Sequence, residues 1–208
     1  YLQEGDKFTI DRLQFNSFAN PYEHFYTKFS AGIFEHMFGG YGGEFLYRPF
    51  NKNYAIGLEA WRVRQRDYKQ DLNFRSYETS TGHINFFYRE PNSGVLISIK
   101  AGRYLAGDSG YTFDVSRKFE TGMQVGAFFS RTDISKEEFG EGAFDKGLYF
   151  SIPLDFFSTT YGKRSFNWGI KPVTRDGASV LIHGLPLFGV TDQASNWSIT
   201  HSWNNIYE

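Results

Sequence analysis

The stretch GYTFDVSRKFETGMQVGAFFSRTD, Gly110–Asp133, decides the fold. Tyr111, Phe113 and Val115 alternate with Thr112, Asp114 and Ser116. Beyond the ETG at 120–122, Met123, Val125, Ala127 and Phe129 alternate with Gln124, Gly126, Phe128 and Ser130. A period of two marks strands with unlike faces. Two arrangements produce it: an apolar face on a protein core with a polar face in water, or an apolar face in lipid with a polar face on a lumen.

Working outward, the same alternation predicts strands at Tyr22–Phe34, Tyr41–Phe50, Tyr54–Arg66, Ser80–Glu90, Val95–Leu105, Gly110–Phe119, Gly122–Thr132, Phe144–Leu154 and Ser165–Val173. Ala178–His183 is a weaker run, and Lys7–Phe18 adds an opening strand whose alternation breaks near Arg12 and Leu13. These runs are about nine to thirteen residues long, whereas a globular strand has about five or six. Crossing a bilayer at a tilt takes about nine to eleven. Tight turns at 51–53 (NKN), 91–94 (PNSG) and 120–122 (ETG) alternate with links at 35–40, 67–79, 106–109 and 133–143. Short turns on one side and longer loops on the other form the outer-membrane pattern.

Composition agrees. Of 208 residues, 20% are aromatic, with 23 Phe and 14 Tyr, more than one soluble core needs. Membrane barrels place such residues on the lipid face and in interfacial girdles. No apolar run is long enough for a membrane helix. A mean hydropathy of −0.46 is compatible with a barrel, because alternate residues face water. The 22 basic and 23 acidic residues balance, which argues against nucleic-acid binding. There is no Cys, so disulfides, thiolate zinc sites and cysteine nucleophiles are excluded. Tyr1 has no Met or signal peptide before it, which reads as a mature chain or a fragment.

The expected fold is therefore all-β: an antiparallel up-and-down transmembrane β-barrel of about ten to twelve strands. It stands alone or forms one part of a larger multi-barrel protein. Residues 1–208 form one barrel domain, with an opening strand within 1–20 and an irregular tail or last strand at 185–208.

If the apolar faces meet lipid, Lys28, Glu44, Glu59, His83, Lys100, Asp114 and Gln124 face the lumen, with Asn85, Ser98, Ser116, Tyr149 and Ser151. Their mixed charges suit a self-paired network filling a narrow barrel, which is favoured over an open conducting lumen. His83 with Asn85 and a serine raises the idea of a hydrolase, but two residues on one strand face are a weak signal, and no catalytic residue is assigned. The five His lack metal-ligand spacing, so no metal or cofactor is expected. GGYGG at 39–43 reads as a glycine-rich entrance to a strand rather than a phosphate loop. RVRQRDYK at 62–69 is a basic rim whose Arg forks match lipopolysaccharide phosphates or an acidic glycan, and SKEEFGEG at 135–142 is its acidic counterpart.

YGGEFLYRPF (41–50), RVRQRDYKQDL (62–72), YETSTGH (77–83), GRYLAGDSGYTFDVSRKFETG (102–122) and EEFGEGAFDKGLYFSIPLDF (137–156) together resemble the YjbH/GfcD-type family. The resemblance runs from about Ala31 to Asp176 and matches the C-terminal part of longer family members. It implies a bacterial outer-membrane protein, often a lipoprotein, that assists secretion or assembly of exopolysaccharide or capsule without catalysis. The lipobox cysteine of such lipoproteins is missing here. The implied partners are outer-membrane lipid and lipopolysaccharide, other exopolysaccharide secretion components and the polysaccharide itself, with no nucleic acid. Matched positions Arg64, Arg66, Asp67, Arg103, Asp108, Glu138 and Asp145 are glycan or lipopolysaccharide candidates at the loops. A structural role in those loops is favoured for them, with Asp108 capping a turn flanked by Gly107 and Gly110. The rivals are a soluble β-sandwich that binds carbohydrate, a barrel enzyme acting on lipid or glycan, and a passive pore.

Overall fold

The computed structural model describes residues 9–119, 121–134, 145–154, 165–171 and 177–203. Ten strands form one antiparallel sheet in simple sequence order: β1 Leu13–Tyr22, β2 Phe25–Ile33, β3 Phe38–Tyr47, β4 Tyr54–Arg66, β5 Phe74–Arg89, β6 Val95–Arg103, β7 Ser109–Lys118, β8 Gln124–Thr132, β9 Asp145–Pro153 and β10 Ser165–Ile170. Among the described residues no pairing joins β1 to β10, so the sheet is open and the expected closed barrel is corrected to an up-and-down sheet. Closure is invisible to local sequence, since it depends on pairing between the two most distant strands.

Register follows the alternation. Lys28 faces Glu44, Glu44 faces Glu59, and Glu59 faces His83 across successive strand pairs. Because side chains alternate, each of these matches puts all the polar partners on one face. That face is buried: Lys28 is 3% exposed and Ser30 0%. The opposite face is apolar and open, with Phe15 64%, Ile84 60% and Leu148 63% exposed. Relative to a soluble half-sheet, the faces are exchanged.

The turns terminate strands by identifiable chemistry. At 90–94, the Glu90 carboxylate accepts from the backbone N–H groups of Asn92 and Ser93 and from the Ser93 hydroxyl, while Gly94 adopts a φ of +69°. Those hydrogen bonds from Ser93 and Asn92 hold the Glu90 carboxyl down at about 2. At 119–123, Gly122 takes a φ of +78°, and Phe119 donates its N–H to the Met123 carbonyl. The rim asymmetry is smaller than expected. Links at 34–37 and 104–108 are as short as the turns on the other rim, and β5 absorbs residues 74–79 that were expected to be loop.

Glycine gives the inner aromatics room. Gly42 stands opposite Trp61, and a Cβ there would meet Trp61 at 2.5 Å and the Ala60 carbonyl at 2.3 Å. Tyr149 likewise lies over Gly126, with its hydroxyl reaching Asp114 at 2.9 Å.

The largest departure from the sequence reading is the C-terminal segment. Ala178–His183 is not a strand, and 185–203 holds neither a last strand nor an irregular tail. The chain from 177 runs along the buried face of the sheet and leads into two short helices, α1 Leu187–Asp192 and α2 Asn196–Trp203. It completes two apolar clusters. Leu181 packs with Phe34, Phe38, Trp61, Val63 and Leu105; Leu187 packs with Leu46 and Ala55. The opening strand is β1 from Leu13, and Tyr22 belongs to it rather than to the next strand.

Gly42→Ala should push the Trp61 ring off its strand and lower stability by about 1–3 kcal/mol, as for other overpacked interiors. Thermal unfolding in detergent, read by tryptophan fluorescence, checks this; an unchanged midpoint would contradict the close packing described.

Candidate functional site

The middle of the buried face carries charge. Glu44 on β3 and Glu59 on β4 occupy directly opposed positions, an unfavourable placement for like charges. Cations and donors surround them. The Lys28 ammonium on β2 lies 3.0 Å from Glu44 Oε1, and the Lys100 ammonium on β6 lies 2.8 Å from Glu59 Oε1. On β5, His83 Nδ1 is 3.0 Å from Glu59 Oε1 and Asn85 Nδ2 is 3.4 Å away. Trp61 donates its indole N–H to Glu59 Oε2 at 3.2 Å.

His183, from the inserted segment, bridges the two carboxylates: Nδ1 is 3.1 Å from Glu44 Oε1 and Nε2 is 3.3 Å from Glu59 Oε2. Its ring stacks on Trp61 at 4.4 Å. Lys28 also donates to the Gly184 and Leu185 carbonyls at 2.9 and 3.1 Å, and the Leu187 N–H donates to Glu44 Oε2 at 2.6 Å. The network is thus shared between the strand wall and the inserted chain.

Glu44, Glu59 and His183 have ligand atoms within 4.8 Å of one another, a spacing compatible with a metal ion. The surroundings do not fit one. Lys28 and Lys100 already place one positive charge on each carboxylate, and a dication would have to displace an ammonium or leave a buried excess of positive charge. Catalytic triad geometry is missing too. His83 hydrogen-bonds Glu59 through Nδ1, and its Nε2 meets no hydroxyl among the described residues, so the His–Ser pairing that the rival enzyme reading requires is not seen there.

All seven lumen candidates lie on the buried face. Lys28, Glu44, Glu59, His83 and Lys100 join this network. Asp114 instead accepts from Tyr149, and Gln124 donates to Ser116 at 3.2 Å. A cavity of about 280 Å³ adjoins the network and is lined by Glu59, Asn85, Lys100, His183, Phe87 and Phe188.

The loop candidates do not form one site. Arg64 is exposed and donates to the Arg75 carbonyl, and Arg103 is also exposed. Arg66 is a correction: a register shift between Arg64 and Arg66 turns it inward, where it is 0% exposed and donates to the Glu35, Gln70 and Asp71 carbonyls. A bulge reverses the side that simple alternation assigns. Asp67 accepts from the Tyr68 N–H within its loop. Asp108 is buried and accepts from the Ala178 N–H at 2.8 Å, fixing the inserted segment instead of capping its own turn. Asp145 is buried on β9, away from any ligand in solvent. Glu138 and residues 135–142 lie outside the described residues.

Sequence reasoning missed His183, Arg48, Arg89 and Asp192. At the turn rim, Arg48 and Arg89 converge on the Asp192 carboxylate at 2.6 and 2.8 Å. No periodic signal marks these residues, because their partners lie about a hundred positions or more apart. Trp61 was also missed, although its strand parity with Glu59 could have found it.

Comparison with known proteins places the chain. The profile of the family described as "Exopolysaccharide biosynthesis protein YbjH" matches residues 1–193. The protein named "Uncharacterized lipoprotein YjbH" from Escherichia coli (strain K12) is 40% identical over 192 residues, covering 89% of this chain. The chain spans 27% of that relative's length. No solved structure matches. The chain belongs to the YjbH exopolysaccharide biosynthesis family.

Where the inserted segment passes the 34–37 loop, Glu35 is pushed up to about 7 by burial, against opposing help from the Ile182 N–H, His36 and Arg12. Its folded pKa lies above the unfolded value, so the folded state holds the extra proton and stability falls as pH rises from about 4.5 through about 7. Glu35→Gln should remove about 1–3 kcal/mol of that pH-dependent loss, leaving stability at about pH 4 unchanged and raising it at about pH 8. Unfolding midpoints across that range test this; parallel wild-type and variant profiles would contradict it.

Proposed function

We propose that this chain is the membrane-embedded part of a non-enzymatic outer-membrane component that assists secretion or assembly of an exopolysaccharide or capsule. The observation that carries the reading is the exchange of faces, with a continuous exposed apolar surface outside and a paired polar interior. Water does not stabilise such an apolar surface, and hydrocarbon does. β1 to β9 have nine to sixteen residues, enough to cross a bilayer at a tilt.

In lipid a free strand edge leaves backbone groups unpaired. The reading therefore includes pairing of the β1 and β10 edges with partner strands in the membrane, within a larger protein. The E. coli relative is named a lipoprotein, which fits attachment to a membrane, and the outer membrane is where a polar-lined sheet of this type resides. The partners are then lipid and lipopolysaccharide outside, other secretion components at the rims, and the polysaccharide.

Two features favour an accessory role over chemistry. His83 is engaged by a carboxylate and pairs with no serine, and the network residues are committed to one another. A soluble β-sandwich is disfavoured because a second sheet would have to cover the apolar face, and among the described residues there is a single sheet.

Membrane fractionation with heat-modifiability tests the location, and polymer output from cells carrying His83→Gln tests the absence of chemistry. The expected result is recovery in the outer-membrane fraction, a different migration before boiling, and preserved polymer secretion by the variant. Recovery as soluble protein with unchanged migration would overturn the membrane reading. Loss of polymer from a correctly folded variant would support the enzyme instead.

A further inference from the structure

We propose that residues 177–192 form a displaceable plug, held in the polar groove of the sheet by a latch at the turn rim, and that the groove they occupy is a path for a hydrated polymer. Its use by polysaccharide rests on the function proposed above; its displacement does not.

The segment fills the groove lengthwise. It is fixed at one rim by Ala178 N–H to Asp108 and by Leu105 N–H to the Ser179 carbonyl, at 2.8 and 3.0 Å. At the centre it makes the His183 and Lys28 contacts. At the other rim α1 presents Asp192 to Arg48 and Arg89.

The middle of the wall does not need the plug to balance its charges. With the segment removed, Lys28 retains Glu44, and Glu59 retains Lys100, His83, Asn85 and Trp61, all supplied by strands. Glu44 and Glu59 would each keep one ammonium. At the centre the segment adds backbone carbonyls, N–H groups and one imidazole, all of which water can replace. Its fully buried apolar anchors are few, Ala178, Leu181 and Leu187, with Phe188 half-buried on Phe87. A permanent core element would bury more apolar side chains and leave unpaired charges in the middle of the wall when withdrawn; here the groups that lose a carboxylate are Arg48 and Arg89 at the rim, released together with Asp192.

The latch is different. Arg48 and Arg89 both converge on one carboxylate, with the Arg48 guanidinium over Phe188 and that of Arg89 over Trp197. Two charge-assisted hydrogen bonds to a single residue concentrate retention at one point. The exposed groove would offer Lys28, Lys100, Glu44, Glu59 and Asn85 with the Trp61 face, the mix of hydrogen-bonding groups and aromatic surface that suits a sugar chain.

Residues 1–208 contain no cysteine, so an introduced one is the single thiol of this part. Ala55→Cys lies under Leu187, and Val63→Cys lies in the cluster completed by Leu181. Each is placed with and without Asp192→Ala in the full protein, and alkylation by a small charged thiol reagent is timed. Hydrogen exchange of β4 and β5 is followed in the same samples. The expected result is labelling accelerated about tenfold or more at both positions, with strand exchange unchanged. Acceleration at Ala55→Cys alone means that α1 frays without release of the segment and overturns the proposal. No acceleration at either site means a permanent filling and overturns it too. Faster strand exchange means that the wall depends on the segment, which likewise contradicts displacement.

Discussion

Two carboxylates placed side by side in a buried sheet set the constraint that the rest of the structure answers. Register puts Glu44 opposite Glu59, and neither faces bulk water. Left alone, the pair would repel and lack hydration. Lys28 from one flanking strand and Lys100 and His83 from the other side supply compensating charge and hydrogen bonds. His183 enters between the two carboxylates from a distant part of the chain. A one-residue slip of any of these strand pairs would send one partner to the apolar side, so the network also fixes the register.

That constraint decides where apolar residues go. The buried face is taken up by polar groups and the inserted segment, so Phe15, Ile84, Leu148 and Trp168 occupy the outer face. Small apolar clusters survive inside only toward the two rims, around Trp61 and Val63 at one end and Leu46 and Ala55 at the other. Glycine at 42 and 126 lets large rings lie flat against neighbouring strands, which lets a narrow groove hold Trp61 and Tyr149 together with the charges. The high aromatic and glycine contents thus have linked causes.

Much of this was legible because strands advertise themselves by period. From Tyr41 to Lys118 the expected strands match the observed ones to within a few residues, apart from the earlier start of β5 at Phe74. The parity of Lys28, Glu44, Glu59, His83 and Lys100 assigned them to one face. What was not legible depends on contacts distant in sequence or on local breaks in the period. Arg66 has the structural loop role favoured for it, but its inward side was hidden because a bulge shifts it. Asp108 was misjudged because its partner, Ala178, is 70 residues away. The fate of residues 177–203 was hidden because an extended chain inside a groove and two short helices leave no regular hydrophobic pattern.

The central claim is that hydrocarbon touches one face of each strand and not the other. Single cysteines placed at successive positions of β4, from Ile56 to Ala60, each carrying a fluorophore, measure it directly in bilayers containing a nitroxide-labelled lipid. The account predicts strong quenching at Ile56, Leu58 and Ala60 and weak quenching at Gly57 and Glu59, a period of two along the strand. Uniform quenching, or none at any position, would contradict it.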